Sequence, residues 1–342
     1  MIAIRADANK HIASGHVMRC LSIADAFFSL GEEVIFYTSD EYAAQMISNR
    51  GFRVVSLHND WNSKDSETEL LISELKKFNP RLLLVDSYQV TSKYLAELRK
   101  VVKLAYLDDL NAFDYPVDIV INYSIYAEDF NYPQNKKYLL GIRYVPLRKQ
   151  FDISDEALDR AIEARIKNKQ ILITTGAADP YRLAAKIIES IINEPSLDNY
   201  TIVVIKGRFW DESELNVILK CLKESGERIK IYENIENMSD IMLRSTMAVS
   251  AGGSTLYELC ACCVPTVTFS YADNQLGNVR GFANRGIMPY AGDVRTTRDI
   301  IQKIIQNLLT CQENNDIINQ VIEKMHNLNC GSGAINLAKE VL

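Results

Sequence analysis

Short β-branched and aliphatic runs alternate with amphipathic stretches along most of the chain. The apolar runs predict strands over Met1–Ala6, Glu33–Thr38, Arg53–Leu57, Leu82–Asp86, Lys103–Leu107 and Asp118–Asn122. Between the first two, Val17, Cys20, Leu21, Ala24, Phe27 and Phe28 recur at helical spacing over Val17–Leu30, and Gly31 marks the stop. Strand and helix patterns alternating in this way predict a parallel, doubly wound sheet. The pattern turns irregular over Phe130–Lys149, which holds Pro133 and Pro146. A charged helical segment, Asp155–Lys169, then leads into a fresh series. Its strands are predicted over Gln170–Thr174, Tyr200–Lys206, Arg228–Tyr232, Ala248–Ala251, Thr266–Phe269 and Met288–Ala291. A chain of 342 residues also exceeds the ~250–300 residues that one core sustains. The reading is α/β with two domains, residues 1–150 and 151–342, and the last helix is expected to pack back on the first domain.

Composition adds limits. Apolar residues make up 47% and charged residues 24%, ordinary for a soluble globular protein. A net charge of −6 argues against a nucleic-acid or anionic-membrane partner. No stretch is apolar and long enough to span a bilayer, and the charged start reads as a strand rather than a signal peptide. A cytoplasmic monomer acting on a small molecule is expected. Seven cysteines (Cys20, Cys221, Cys260, Cys262, Cys263, Cys311 and Cys330) fit a reducing compartment. The Cys260/Cys262/Cys263 group lies in an apolar helical run, matches no common zinc spacing and lacks a nearby histidine, so packing is expected there and no metal.

Candidate chemistry gathers where strands end. In Ser250-Ala251-Gly252-Gly253-Ser254-Thr255, a strand gives way to two glycines and then a helix. Glycines let backbone N–H groups approach an anion, and the helix start adds unpaired donors. Ser254 and Thr255 suit a cap or a phosphate contact. Glu258 falls one turn later, where an acidic residue can accept from ribose hydroxyls. Asn274 and Gln275 follow the next strand and suit a sugar or phosphate contact. Gly176, in Thr174-Thr175-Gly176-Ala177-Ala178-Asp179-Pro180, either borders a diphosphate or precedes a helix starting at Pro180. A plain Gly-Gly turn with capping residues accounts for the same stretches.

The first domain has Ser14-Gly15-His16-Val17-Met18-Arg19 directly after its first strand. Gly15 permits a tight turn, His16 enters the first helical turn, and Arg19 lies one turn on. His16 is one of only four histidines, and an uncharged imidazole at a cleft mouth suits a general base. The competing reading is a capping histidine packed in a turn. Asp86-Ser87-Tyr88, Asp108-Asp109 and Asn122 end strands on the same sheet edge and suit hydroxyl or amide recognition on a sugar, or capping of the helices that follow, and Asp7 after the first strand is a further substrate-binding candidate. No Gly-x-Ser-x-Gly elbow and no Gly-x-Gly-x-x-Gly after a strand is present, which argues against a serine hydrolase and a nicotinamide dehydrogenase.

Arg5-Ala6-Asp7, Ile12–Leu21, Asp86-Ser87-Tyr88, Leu107-Asp108-Asp109, Leu139–Arg148, Ser250–Glu258 and Asp273-Asn274-Gln275 together resemble the UDP-sugar hydrolases of pseudaminic acid synthesis, the PseG family, and the related spore-coat polysaccharide family. The resemblance runs in order along almost the whole chain. It implies a GT-B-like fold of two Rossmann-like domains facing a central cleft, similar to MurG. It implies hydrolysis of UDP-2,4-diacetamido-2,4,6-trideoxy-β-L-altropyranose with inversion, without a metal or other cofactor. The family's catalytic histidine matches His16, its UDP loop matches Ser250–Ser254 with Glu258 at the ribose, and its tyrosine near the sugar matches Tyr88. One departure is Ala13, where the family usually has glycine. The alternatives are a glycosyltransferase using a UDP-sugar donor, in which His16 deprotonates an acceptor hydroxyl, and a nucleotide-sugar binding protein without catalysis.

Overall fold

The structure is a computed structural model that describes residues 1–210, 218 and 228–342. Two compact units emerge: Met1–Lys149 with Ser332–Leu342, and Gln150–Gly331. Both are built on parallel sheets with helices between the strands.

The first unit contains β1 (Ile2–Ala6), α1 (Gly15–Ser29), β2 (Val34–Thr38), α2 (Glu41–Ser48), β3 (Arg53–Ser56), α3 (Lys64–Phe78), β4 (Leu82–Asp86), α4 (Ser92–Arg99), β5 (Leu104–Leu107), β6 (Ile119–Asn122) and β7 (Lys137–Leu140). The sheet order is β3-β2-β1-β4-β5-β6-β7. β1, β2 and β4 are buried along their whole length, as strands covered on both faces must be, which is why they read as unbroken apolar runs. α1 turns Val17, Cys20, Leu21, Ala24 and Phe27 onto the sheet and ends at Gly31, whose φ of 83° only glycine adopts without strain. The helix Gly333–Val341 completes this unit. Its Leu337, Ala338 and Val341 join Val17, Leu21 and Ala24 in one core. Gly333 permits the approach: a Cβ there would lie 2.2 Å from the Val145 carbonyl oxygen.

β7 was not predicted. It is an edge strand in which only Leu139 is buried, and its short run Tyr138-Leu139-Leu140 falls inside the proline-bearing stretch read as irregular.

The second unit contains α5 (Asp155–Asn168), β8 (Gln170–Thr174), α6 (Leu183–Ile192), β9 (Thr201–Ile205), β10 (Ile229–Tyr232), β11 (Met247–Ala251), β12 (Thr266–Ser270) and β13 (Tyr290–Asp293), with helices at Met238–Arg244, Thr255–Ala261, Asp273–Asn284, Ile300–Glu313 and Asn315–Leu328. Its order, β10-β9-β8-β11-β12-β13, repeats that of the first unit less one edge strand. β13 starts two residues later than its apolar run predicts, beside a register shift between Thr268 and Phe269 on β12. α6 begins at Leu183 rather than Pro180, because the Asp179 carboxylate accepts from the N–H groups of Leu183 and Ala184 and sets the start there.

The cysteine-rich run is a helix end. Cys263 takes a φ of 49°, and the buried Arg165 of α5 donates to the carbonyl oxygens of Cys262 and Cys263 at 3.1 and 2.6 Å. Burial pulls the Arg165 guanidinium down to about 10. Burial also pushes the Cys263 thiol up to about 12. The Cys262 thiol is raised chiefly by burial, and that of Cys260 by its bond to Cys330 and by burial, so these thiols stay protonated. Cys221 lies outside the described residues. Among the described residues no helix is long and apolar enough to cross a membrane.

Candidate functional site

In an open α/β sheet, ligands bind beyond the carboxyl ends of the strands where the strand order reverses. In the first unit that point lies between β1 and β4, which pair from Ile2↔Leu82 to Ala6↔Asp86. α1 follows β1 and delivers His16 there, and β4 ends on Asp86. The His16 Nδ1 lies 2.7 Å from Asp86 Oδ1. Arg19, one turn along α1, donates through Nε to Asp86 Oδ2 at 2.6 Å and through Nη2 to Oδ1 at 2.5 Å. It also donates to the Tyr123 hydroxyl at 2.7 Å.

Asp86 is 1% exposed, so its charge depends on these partners. Burial alone would raise its carboxyl, but Arg19 and His16 more than offset that and hold it well below the usual carboxylate range. An ionised Asp86 takes the Nδ1–H of His16, with Arg19 Nη2 3.1 Å from the same nitrogen, so Nε2 is the ring nitrogen left outside this network. That is the arrangement of a general base held by an orienting carboxylate. The Tyr88 ring meets the imidazole edge-on at 4.8 Å between centroids, and its hydroxyl donates to Asp109 Oδ2 at 2.7 Å. Burial and this bond push the Tyr88 phenol up, so it remains a neutral donor.

The loop that carries Gly15 and His16 is folded by its own residues. Asn9 Oδ1 accepts from the N–H groups of His11 and Ile12, and Ala13 takes a φ of 56°. The departure noted at position 13 therefore falls in a left-handed conformation that glycine adopts more cheaply. Gly15 has open space where a Cβ would stand.

Three residues expected at the ligand are taken up inside the unit instead. Asp7 is 2% exposed and shares a buried cluster with Arg5, Lys64 and Glu67. Arg5 donates to Asp7 at 2.6 Å, to Glu67 at 2.7 and 2.6 Å, and to the Ser39 hydroxyl at 2.7 Å; Lys64 closes the cluster on Asp7. Asp108 accepts from the N–H groups of Leu110 and Asn111 and from the hydroxyls of Tyr115 and Tyr132. Asn122 is fully buried, accepts from Ser124 N–H and donates to Tyr132. With their oxygens so occupied, these side chains support the site and leave little for a ligand. Tyr123 is the partner that motif reading passed over, and Asp86 and Asp109 were read only as strand-end polar residues. The strand-end position of Asp86 was visible in sequence, but its pairing with His16 needed the β1–β4 neighbourhood.

The second unit repeats the geometry. Its reversal lies between β8 and β11, paired from Met247↔Ile171 to Ser250↔Thr174. The Gly176 turn and the Gly252-Gly253 loop follow these neighbouring strands. Gly176 has a φ of 92°. Gly252 presses against the helix Asp273–Asn284: a Cβ there would lie 2.6 Å from Val279 Cγ1 and 2.9 Å from Gln275 Cβ. Asn278 donates to the Gly252 carbonyl oxygen at 3.2 Å and ties the loop to that helix. Gly253 faces open space, Ser254 and Asn274 are exposed, and Thr255 and Glu258 are half-buried. Ser254 makes no side-chain cap. Gln275 is buried and its amide oxygen accepts from Tyr271 N–H, so it is committed to the start of its own helix. Thr175, fully buried at the end of β8, has a hydroxyl with no partner among the described residues.

Two Rossmann-like domains with this strand order make a GT-B-like fold, as in the glycosyltransferases among the structures it resembles. The chain belongs to the glycosyltransferase family 28 C-terminal domain family, whose model matches residues 161–335. It is 30% identical over 276 residues to an uncharacterized protein of Methanocaldococcus jannaschii, covering 78% of this chain and 54% of that protein. It is 24% identical over 292 residues to the spore coat polysaccharide biosynthesis protein SpsG of Bacillus subtilis, covering 83% of this chain and 81% of SpsG. Similarity at 25% over 235 residues links it to the Helicobacter pylori pseudaminic acid cytidylyltransferase and UDP-2,4-diacetamido-2,4,6-trideoxy-beta-L-altropyranose hydrolase, covering 66% of this chain and 40% of that protein. The chain thus spans about half the length of the archaeal relative and less of the Helicobacter one. Among solved structures, Acinetobacter baumannii MurG superposes with a TM-score of 0.67 at 13% identity, covering 99% of each chain. The glycosyltransferase of kitacinnamycin gives 0.68 at 13%, covering 99% of this chain and 97% of that one.

Proposed function

We propose that this chain hydrolyses a UDP-linked 2,4-diacetamido-2,4,6-trideoxy sugar to the free sugar and UDP. The observation that carries the reading is the His16–Asp86 couple at the β1–β4 reversal, with Nδ1 committed to the carboxylate and Nε2 left as the base. The hydrolase named in the Helicobacter relative supports the substrate class. In the proposed step, Nε2 takes a proton from water as the water oxygen bonds to the anomeric carbon. The bond from that carbon to the UDP oxygen breaks on the opposite face, and the configuration inverts. UDP departs with the bonding electrons. A positioned base contributes roughly 10²–10⁴-fold. Arg19 keeps Asp86 ionised, and Asp86 keeps the imidazole turned. In the second unit, the Gly252-Gly253 loop and the Gly176 turn, which follow the neighbouring strands β11 and β8, take the diphosphate, and Glu258 takes the ribose hydroxyls.

The family description favours one competitor, transfer of the sugar to an acceptor hydroxyl that His16 would deprotonate. Product analysis by NMR decides between them. Release of UDP and free sugar from the nucleotide sugar alone, abolished in His16→Ala while UDP still binds, is the expected result. Turnover that requires an added acceptor, or a His16→Ala variant with near-native hydrolysis, overturns the proposal.

A further inference from the structure

Arg165 is a buried cation that the proposed chemistry does not use. It lies on α5, is 2% exposed and pairs with no carboxylate among the described residues. Its guanidinium donates instead to the carbonyl oxygens of Cys262 and Cys263. A charge taken out of water without an anion is costly to keep, so the place where it is kept is informative. Those carbonyls end the helix Thr255–Ala261. Its last turn is closed by Val264 N–H on the Leu259 oxygen at 3.0 Å and by Cys263 N–H on the Cys260 oxygen at 2.9 Å, with Cys263 left-handed. Glycine usually holds that position, and a cysteine stays there only where its surroundings fix it. Arg165 supplies the fixing, with one nitrogen on each carbonyl. Its own carbonyl oxygen accepts from the Thr246 hydroxyl at 2.9 Å, directly before β11. One residue thus ties the foot of β11 to the end of the helix, and the Gly252-Gly253 loop lies between these two points. Glu258 stands in the same last turn. The Cys262 N–H donates to the Glu258 carbonyl oxygen at 3.1 Å, so only two hydrogen bonds separate Arg165 from the Glu258 backbone.

We infer that Arg165 is a positioning residue of the nucleotide site, holding the helix end so that Glu258 meets the ribose hydroxyls. This rests on the sugar-nucleotide reading above, and it is indifferent to whether water or an acceptor takes the sugar. A planar guanidinium spans two carbonyls at once, which an ammonium does less well. A cation at this end of a helix also opposes the partial negative charge there. Hydrogen bonds from hydroxyls to a carboxylate depend on distance and angle, so a freed helix end loses ribose recognition before it loses the rest of the binding.

The test separates ribose recognition from folding. Calorimetry compares UDP with 2′,3′-dideoxy-UDP on the wild type, Arg165→Gln, Arg165→Lys and Glu258→Ala, and urea unfolding gives the stability of each. The wild type is expected to bind UDP about 10–100-fold tighter than the dideoxy analogue, and Glu258→Ala should erase most of that ratio. Arg165→Gln should erase most of it too, while its affinity for the dideoxy analogue stays near native and shows that the second unit is folded. Arg165→Lys, which keeps the charge and one carbonyl bond, should recover part of the ratio. Adding Arg165→Gln to Glu258→Ala should change the ratio no further, because the two act on one contact. Should Arg165→Gln not fold, Arg165→Lys carries the comparison, with a reduced ratio at native affinity for the dideoxy analogue as the supporting result. A lowered urea midpoint with the wild-type ratio, or an equal loss for both nucleotides, makes Arg165 a structural residue only and overturns the inference alone. A wild type that binds neither nucleotide, or both alike, overturns the placement of UDP and the inference with it.

Discussion

The four-charge cluster in the first unit offers a test of the structure that needs no substrate. Arg5, Lys64, Asp7 and Glu67 are each 2% exposed or less and sum to zero charge. Arg5→Met removes a guanidinium held by both carboxylates and leaves two anions facing one ammonium. Breaking a buried ion pair by deleting one partner costs roughly 3–5 kcal/mol. Glu67→Gln leaves the opposite excess and should cost about as much. The double variant restores neutrality, because Lys64 and Asp7 still pair. Its loss should therefore fall short of the sum by about 2–3 kcal/mol. The assay is urea unfolding followed by Trp61, which lies in the first unit, in a Trp210→Phe background; these are the chain's two tryptophans. Costs that add to within ~0.5 kcal/mol, or a single loss below ~1 kcal/mol, would refute a cooperative buried cluster. The cluster also sets an acid dependence. For Asp7 and Glu67 burial acts to raise the carboxyls, but Arg5 and Lys64 hold both below their ordinary values of 3.8 and 4.5. The unfolded chain then binds more protons, so their stabilisation is complete above those values and is lost as the pH falls toward the lower folded ones. Arg5→Met should flatten that slope.

Ala13→Gly should stabilise the first unit by about 0.5–1 kcal/mol in the same unfolding assay, by relieving the φ of 56°; destabilisation would mean the loop holds another conformation. Gly252→Ala should cost roughly 1–3 kcal/mol and weaken UDP binding, because its Cβ meets Val279 and Gln275. Gly253→Ala, which meets nothing, should leave the unfolding midpoint near native, so any loss of UDP affinity read by calorimetry reports the ligand's approach. In a Cys221→Ser background, the thiols of Cys260, Cys262 and Cys330 should resist a thiol reagent until the chain unfolds, being buried and, for Cys260 and Cys262, held protonated. Rapid native-state labelling would contradict this packing.

Sequence patterning found the strands wherever both faces are covered, because burial itself writes the apolar run: Leu82–Asp86 and Gln170–Thr174 match residue for residue. It failed at β7, whose three apolar residues, Tyr138, Leu139 and Leu140, make too short a run to stand out in the irregular stretch between Pro133 and Pro146. At the site, the glycine-histidine turn was legible because a tight turn and a rare residue type leave local marks. The partner of His16 was not, since Asp86 is separated by 70 residues and becomes adjacent only through the β1–β4 pairing. Asp7 and Asp108 show the converse, because their buried partners were not legible. A carboxylate at a strand end has the same sequence signature whether it meets a ligand or a buried arginine, lysine or tyrosine.

The helix Gly333–Val341 gives the first unit an unusual assembly history. Its core is split in sequence, with Gln150–Gly331 inserted between the body of the unit and the piece that closes it. During synthesis at ~5–20 residues per second, the α1 face bearing Val17 and Leu21 waits uncovered while the entire second unit is made. The contiguous second unit can close first, so the usual amino-to-carboxyl order of maturation is reversed. The couple of His16 with Asp86 stands on the sheet that is finished last, and a nascent chain arrested before residue 333 would hold its Gly252-Gly253 loop in place on a folded unit while the core beneath that couple was still open.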